Sequence, residues 1–444
     1  MSDAVQSQGP ACANQRSDVF SYDPEGTVAS PVGFSAVGMH AGFRKNPERF
    51  DFALVVADQP AAAAATFTQN VFCAPPVTVS KEHLSEGQPG QTAYGCARVV
   101  AVNSGVANAA TGEKGLETAR QSAQIVADAV GCPASEVLVA STGVIGQQLS
   151  LDPFIVGAPA AVAAMEAADS PQEQAGQGLT AAQAIMTTDT VPKHGAVRFS
   201  GDDIGYPGAT FTIGGMAKGS GMIMPNMATM IAVLATDAPV LGADLARALK
   251  VAVDASFNRI TVDSDTSTND SCFLLASGEA APGASPMLPG SKAFARFQEA
   301  LDLLCVTLAR SMAADGEGAT RLVEVNVKGA RTEADADAAA RTVANSPLVK
   351  TAVAGRDANW GRIAAALGRS GADFKQEDVD IDIMGIPVCR HGLAMDFDEA
   401  EALARFESPE IAIDVNLGAG DCSATMWTCD MTHDYISINA DYRT

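Results

Sequence analysis

The chain has 444 residues, 47% of them hydrophobic and 18% charged, which allows an ample buried core in one large domain or two or three smaller ones. A formal net charge of −23 leaves no basic stripe to neutralise phosphates or to dock on anionic lipid, which argues against nucleic-acid and membrane-surface partners. No apolar run reaches about 18 residues, so no membrane span is expected.

The first residues, Met1 to Pro10, lack a basic region followed by an apolar one and do not read as a secretory signal. Residues 1–26 are expected to be a poorly ordered polar lead. Residues 30–110 read as strands and turns, with strand candidates at Phe50–Ala57 and Arg98–Asn103. Apolar spacing predicts a helix over Gly115–Val130. A short buried strand from Glu136 runs into Ser141-Thr142-Gly143-Val144-Ile145-Gly146, and an alanine-rich helix follows over 152–168. Thr180–Met186 reads as another helix, ending at Thr187-Thr188-Asp189-Thr190. Alternation over 195–215 suggests half-buried strands. Leu241–Ala255 and the amphipathic Phe294–Ala314 read as helices, and Leu322–Val327 as an alternating strand. Arg331–Leu367 reads mostly as helix, interrupted near Gly355-Arg356-Asp357. The last hundred residues return to strands, the final one through Tyr435–Asn439. The predicted fold class is mixed α/β or α+β, with sheets flanked by helices.

Nine cysteines are scattered without a CxxC pair, several in apolar contexts such as Leu303-Leu304-Cys305-Val306. That pattern suggests reduced, buried thiols in a cytoplasmic protein. The five histidines show no ligand spacing, so no metal site is expected. The run Asp263-Ser-Asp-Thr-Ser-Thr-Asn269 fails as a calcium loop: its sixth position is Thr268 instead of glycine and its twelfth is Leu274 instead of glutamate.

Chemistry concentrates in Gly214-Gly215-Met216-Ala217-Lys218-Gly219-Ser220-Gly221 and the following Pro225-Asn226-Met227-Ala228-Thr229-Met230. The glycines permit a strained backbone, Pro225-Asn226 suits a turn, and small Ala228 leaves its carbonyl unhindered beside a hydroxyl. Cleavage between Ala228 and Thr229 would give Thr229 its own α-amine as a base, the N-terminal-nucleophile arrangement. The same run also reads as a Gly-rich turn entering a buried, Met-rich strand or helix. Ser141-Thr142-Gly143, at a strand end, reads either as an oxyanion hole with the Thr142 hydroxyl as an added donor, or as an ordinary turn. Lys218 could hold a substrate carboxylate or be surface charge. Glu317, between Gly316 and Gly318 in Asp315–Thr320, could bind an amino group or lie on a solvated helix-end turn.

Taken in order, these segments resemble the glutamate N-acetyltransferases of arginine biosynthesis, also called ornithine acetyltransferases. The resemblance runs from about Pro31 to Thr444. It is carried by Pro31-Val-Gly-Phe, Val102-Asn-Ser-Gly105, Ser141–Gly146, Met186–Lys193, Gly215–Ile223, Asn226–Met230, Ser267–Asp270, Asp315–Thr320, Gly355–Gly361 and Asn439–Thr444. The resemblance implies a self-cleaving N-terminal-nucleophile type of acyltransferase fold, cut at Ala228–Thr229 into an α chain (27–228 after the lead) and a β chain (229–444). It implies that the two chains stay together as an α2β2 heterotetramer. Thr229 would be the nucleophile, with Thr142 and Gly143 forming the oxyanion hole. Thr187, Lys218, Thr229, Glu317, Asn439 and Thr444 would hold substrate. The implied reaction moves acetyl from N-acetyl-L-ornithine to L-glutamate through an acetyl-threonine ester. No metal or organic cofactor is implied, and acetyl-CoA as an alternative donor is left open. The rival reading is an N-terminal-nucleophile amidohydrolase or aminopeptidase using the same threonine with water as acceptor. Four positions depart from the family pattern: Val106 and Ala110 stand where Asn and Cys are frequent, Met224 where His is, and Ser264 where Gly is.

Overall fold

The computed structural model describes residues 19–85, 92–224 and 230–441, and the chain divides into two compact units. Among the described residues, the larger unit takes 19–258 and 265–309, and the smaller takes 259–264 and 310–441.

The larger unit is built on nine strands: β1 (Phe20–Asp23), β2 (Phe34–Met39), β3 (Phe52–Phe67), β4 (Ala93–Val106), β5 (Val137–Val144), β6 (Lys193–Ser200), β7 (Thr210–Lys218), β8 (Ile231–Thr236) and β9 (Ser271–Ala276). Their order is β1-β6-β7-β8-β9-β3-β4-β5, with β2 also pairing β3. The β8–β9 and β4–β5 pairs are parallel and the others antiparallel. The long strand β3 joins two regions. Its first part (52–57) pairs β2 and its last part (62–67) pairs β9, with a register break between Val56 and Ala61. Helices α1 (Pro75–His83), α2 (Gly112–Val130), α3 (Asp152–Glu166), α4 (Pro171–Ala184) and α5 (Gly242–Ala255) flank the strands. They bury alanine-rich faces, such as Ala119, Ala123, Val126 and Ala127 of α2 against Val99, Val137 and Val139. Small side chains let backbones approach closely, and burying such apolar surface stabilises by about 25 cal/mol per Å².

Three expectations need correction here. The polar lead does not extend to residue 26: Phe20–Asp23 form β1 against β6, where the Phe20 ring packs edge-on to Phe199 and Asp23 pairs with Arg198 at 2.9 Å. The stretch over 195–215 is not uniformly half-buried, because β7 lies between β6 and β8 and every residue from Phe211 to Lys218 is buried. The segment around Pro75–His83 is helical, started by two prolines at its first turn, where no N–H is missed.

In the smaller unit, six strands stand in the order β13-β12-β11-β14-β10-β15. These are β10 (Leu322–Ala330), β11 (Asp380–Ile383), β12 (Ile386–Arg390), β13 (Leu393–Ala394), β14 (Glu410–Asn416) and β15 (Cys422–Cys429). Along β14, Ile411, Ile413 and Val415 are buried and alternate with half-buried Glu410, Ala412, Asp414 and Asn416. The buried face meets α7 (Glu333–Ala344), α8 (Pro347–Ala354), α9 (Trp360–Gly368) and α10 (Glu399–Arg405). The long helix α6 (Lys292–Ala314) belongs to the larger unit up to residue 309 and to the smaller one beyond it. The expected terminal strand is instead a helix, α11 (His433–Asp441). Its alternating Tyr-Ile-Ser-Ile pattern buries no residue, leaving Ile436 67% exposed, so the pattern had no sheet to join. Among the described residues, no helix is long and apolar enough to cross a membrane.

Candidate active site

β5 ends in Thr142-Gly143-Val144, registered against Ser104, Gly105 and Val106 of the parallel β4. Neighbouring side chains hold this end in place. The Ser141 hydroxyl donates to Asn103 Oδ1 at 2.6 Å, and Asn269 Nδ2 donates to the carbonyls of Ser141 (2.9 Å) and Ala107 (2.5 Å). Gly143 has φ +128°, and a Cβ there would lie 2.3–2.7 Å from the backbone of Gly105, so only glycine fits.

Lys218, the last residue of β7, donates from Nζ to Thr142 Oγ1 at 3.3 Å. Five strand spacings separate β7 from β5 in the sheet order, about 24 Å if the sheet were flat. The contact therefore requires the strands to fold back into two layers, and the break in β3 is where the ladder allows it. Opposite Lys218 stands Ile231, the first residue of β8. The Met230 carbonyl accepts from Ser271 N at 2.9 Å, and on the other flank of 225–229 Met224 N donates to the Asp265 carbonyl at 2.8 Å.

Three buried charged residues surround Lys218. Asp189 Oδ1 accepts from Lys193 Nζ and from Gly219 N, each at 2.7 Å. Its Oδ2 accepts from Thr187 N at 2.9 Å and faces the Thr187 hydroxyl at 3.5 Å. Burial alone would raise the Asp189 carboxyl, but the ammonium groups of Lys193 and Lys218 outweigh it and hold the group well below the usual carboxylate range. Asp270 is 2% exposed; burial pushes its carboxyl well above the usual range, opposed by Lys218 and by N–H groups of Met230 and Ser267. Burial also lowers Lys218, with Asp189 and Asp270 opposing and Lys193 and Arg44 adding to the effect. The Thr187 carbonyl accepts from Arg49 Nη2 at 2.8 Å, so the loop carrying Thr187 is fixed from both sides.

The smaller unit holds Glu317 and Asn439, where Asn439 Nδ2 donates to Glu317 Oε2 at 2.7 Å. Glu317 is 7% exposed, so the reading of a solvated turn does not hold. Its turn is tied down by Asp430, which accepts from Thr320 N (2.7 Å), Thr320 Oγ1 (2.5 Å) and Arg321 N (3.1 Å).

Among the sequence-predicted residues, Thr142, Gly143, Lys218 and, through Asp189, Thr187 are thus brought together in the larger unit, and Glu317 and Asn439 in the smaller. Ala228, Thr229 and Thr444 lie outside the described residues. Sequence reasoning missed Asp189, Lys193, Asn269 and Asp270. The available signal was an Asp–Lys pair four residues apart in a segment without helical character, Asp189-Thr-Val-Pro-Lys193. Of the departures, Ser264 has φ +67°, which explains why glycine suits that position.

A lysine ammonium, a threonine hydroxyl and a glycine at a strand end, within a buried surround, can hold a carboxylate or an oxyanion. Among the described residues, no group of three or more His, Cys, Asp or Glu could hold a metal.

The sequence model of the ArgJ family matches residues 35–444. The arginine biosynthesis bifunctional protein ArgJ of Symbiobacterium thermophilum is 47% identical over 420 residues, covering 94% of this chain and 99% of that protein. The corresponding protein of Nitratidesulfovibrio vulgaris is 46% identical over 418 residues, with 94% and 99% covered. Among solved structures, that of arginine biosynthesis bifunctional protein ArgJ from Bacillus halodurans is 43% identical, covers 47% of this chain and 98% of its own, and has a TM-score of 0.46.

Proposed function

The chain belongs to the ArgJ family of arginine-biosynthesis acyltransferases, and on that premise we propose that it transfers acetyl from N2-acetyl-L-ornithine to L-glutamate by a ping-pong route through Thr229. The chain first cuts itself between Ala228 and Thr229, leaving an α chain that ends at 228 and a β chain of 229–444, assembled as α2β2 in the cytoplasm. The freed α-amine, with a reference pKa of roughly 7.7–8.0, takes the proton of the Thr229 hydroxyl. The hydroxyl oxygen attacks the acetyl carbonyl carbon, and the oxyanion is received by Thr142 and Gly143. The C–N bond then breaks, the proton passes to the leaving ornithine amine, and an acetyl ester remains on Thr229. The amine of glutamate attacks that ester and gives up a proton to the α-amine, which passes it to the Thr229 oxygen as the ester C–O bond breaks and N-acetylglutamate leaves. Thr187 and Lys218 bind the substrate backbone, Lys218 taking a carboxylate; Glu317, Asn439 and Thr444 bind its remaining polar groups. No metal or organic cofactor is required by this route.

The observation that carries this reading is the 3.3 Å contact between Lys218 and Thr142, which sets a carboxylate anchor beside the proposed oxyanion donor. The test combines denatured intact mass with isotope transfer. Two fragments, one beginning at Thr229, and label passing from acetylornithine to glutamate support it. An uncut chain, or label released only as acetate, refutes it, the latter in favour of an amidohydrolase. Glutamate with acetyl-CoA alone decides whether the thioester also serves as donor.

A further inference from the structure

Near Lys218 lies a carboxylate that bonds to three segments that carry or flank the proposed site residues. Asp189 binds the N–H of Thr187, the ammonium of Lys193 at the start of β6, and the N–H of Gly219 at the end of β7. The Gly219 N–H belongs to the peptide that begins at the Lys218 carbonyl, so this bond fixes the backbone from which the Lys218 side chain departs. That side chain donates to Thr142 Oγ1. A hydroxyl that accepts from an ammonium keeps its own hydrogen free to donate elsewhere. Donation is what an oxyanion hole requires of Thr142.

We propose that Asp189 is a positioning residue: by tying Thr187 and Gly219 to one carboxylate it registers Lys218 against Thr142, and so orients the Thr142 hydroxyl as a donor to the oxyanion. The inference rests on the acetyl-transfer reading above. Its competitor is a purely structural role, in which Asp189 is only the counter-ion that lets Lys193 be buried, their side chains being 0% and 1% exposed.

The two roles separate in a set of full-length variants: Asp189→Asn, Lys193→Met, the double variant, and Thr142→Val beside them. Melting temperature, completeness of self-cleavage, kcat and KM for acetylornithine are measured on each. Asp189→Asn strands a buried ammonium and lowers the melting temperature; the double variant removes both charges and recovers most of that loss. If Asp189 positions Lys218, kcat of the double variant stays down by at least about tenfold, more than KM rises, although its melting temperature is restored. Recovery of kcat together with melting temperature overturns the proposal and leaves Asp189 a counter-ion. A Thr142→Val variant with wild-type kcat instead sinks the oxyanion reading itself, which the low kcat of the double variant cannot then rescue.

Discussion

The replacement Gly143→Ala gives the sharpest test of the site at the end of β5. At φ +128° an L-residue is strained by about 1–2 kcal/mol. The added Cβ would also stand 2.3 Å from Gly105 C, 2.5 Å from its O and 2.7 Å from its Cα. These are backbone atoms, so no side-chain rotation relieves the clash; β4 and β5 must part locally, at a further cost of about 1–3 kcal/mol by analogy with overpacked cores. The sum is about 2–5 kcal/mol. For a cooperative unit of this size 1 kcal/mol is worth about 2 °C, so the melting temperature should fall by roughly 4–10 °C. The catalytic loss should be larger in proportion. A backbone N–H moved by about an ångström from an oxyanion loses much of a contribution worth about 10²–10³ in kcat. Gly146→Ala is the control: it has φ +81° but nothing within 4 Å of the new Cβ, so it carries only the conformational cost. Thermal melts and acetyl-transfer kinetics on both variants decide the matter. A Gly143→Ala protein that melts and turns over like Gly146→Ala would refute the steric argument and the place of Gly143 in the site.

The remaining expectations concern charge and backbone. Lys193→Met takes the nearest ammonium from buried Asp189 and should cost about 3–5 kcal/mol. Because the Asp189 carboxyl is held below its unfolded value, its stabilisation is present above the usual carboxylate range and lost as pH falls towards the folded value; the variant's acid unfolding should begin at a higher pH, read by circular dichroism. Asp237 has the opposite sign: burial raises it to about 6 against backbone N–H bonds from Thr212 (2.7 Å) and Val32 (3.0 Å), so its contribution is full below its unfolded pKa and lost as pH rises through about 6. Asp237→Asn, with a single acceptor oxygen, should be less stable in mild acid, the gap to wild type narrowing above neutrality in chemical denaturation. Ser264→Gly removes a positive-φ strain at an exposed site and should be neutral to stabilising by up to about 1 kcal/mol; a loss above that would refute the strain.

Two helices of the larger unit, Gly112–Val130 and Gly242–Ala255, were legible because their alanine and leucine spacing repeats over three or more turns, whereas the short helix Pro75–His83 was not. The strand running into Ser141-Thr142-Gly143 was legible as a strand end, whereas local sequence left open whether that end is an oxyanion hole or an ordinary turn. What sequence could not give was long-range placement. Nothing local tells that Lys218 faces Thr142 across a folded-back sheet, 76 residues away. Asp189, Lys193 and Asp270 escaped for a related reason: their roles follow from burial, and in sequence a buried aspartate looks like any surface one. The terminal helix escaped because Tyr435-Ile-Ser-Ile alternates like a strand while none of it is buried. Periodicity reports a face only when that face meets a core.

The charge balance around Lys218 points to what an occupant of the site must bring. Asp189 is ionised and bound to Lys193, while burial drives Asp270 towards its neutral acid and Lys218 towards its neutral amine. Asp189 is already shared with the Lys193 ammonium, and Lys193 and Arg44 add like charge, so among the described residues the Lys218 ammonium lacks a full counter-charge. A carboxylate arriving beside Lys218 supplies the missing negative charge and raises the lysine's proton affinity. Binding of an amino-acid substrate should then take up protons over the pH range in which Lys218 loses its own. Calorimetric titration of the full-length protein with acetylornithine, repeated in buffers of different ionisation enthalpy, measures that uptake directly. Uptake that disappears in Lys218→Met assigns it to this lysine. Binding enthalpies independent of the buffer at every pH tested would mean that Lys218 is charged before substrate arrives, with Asp270 rather than the ligand as its counter-ion.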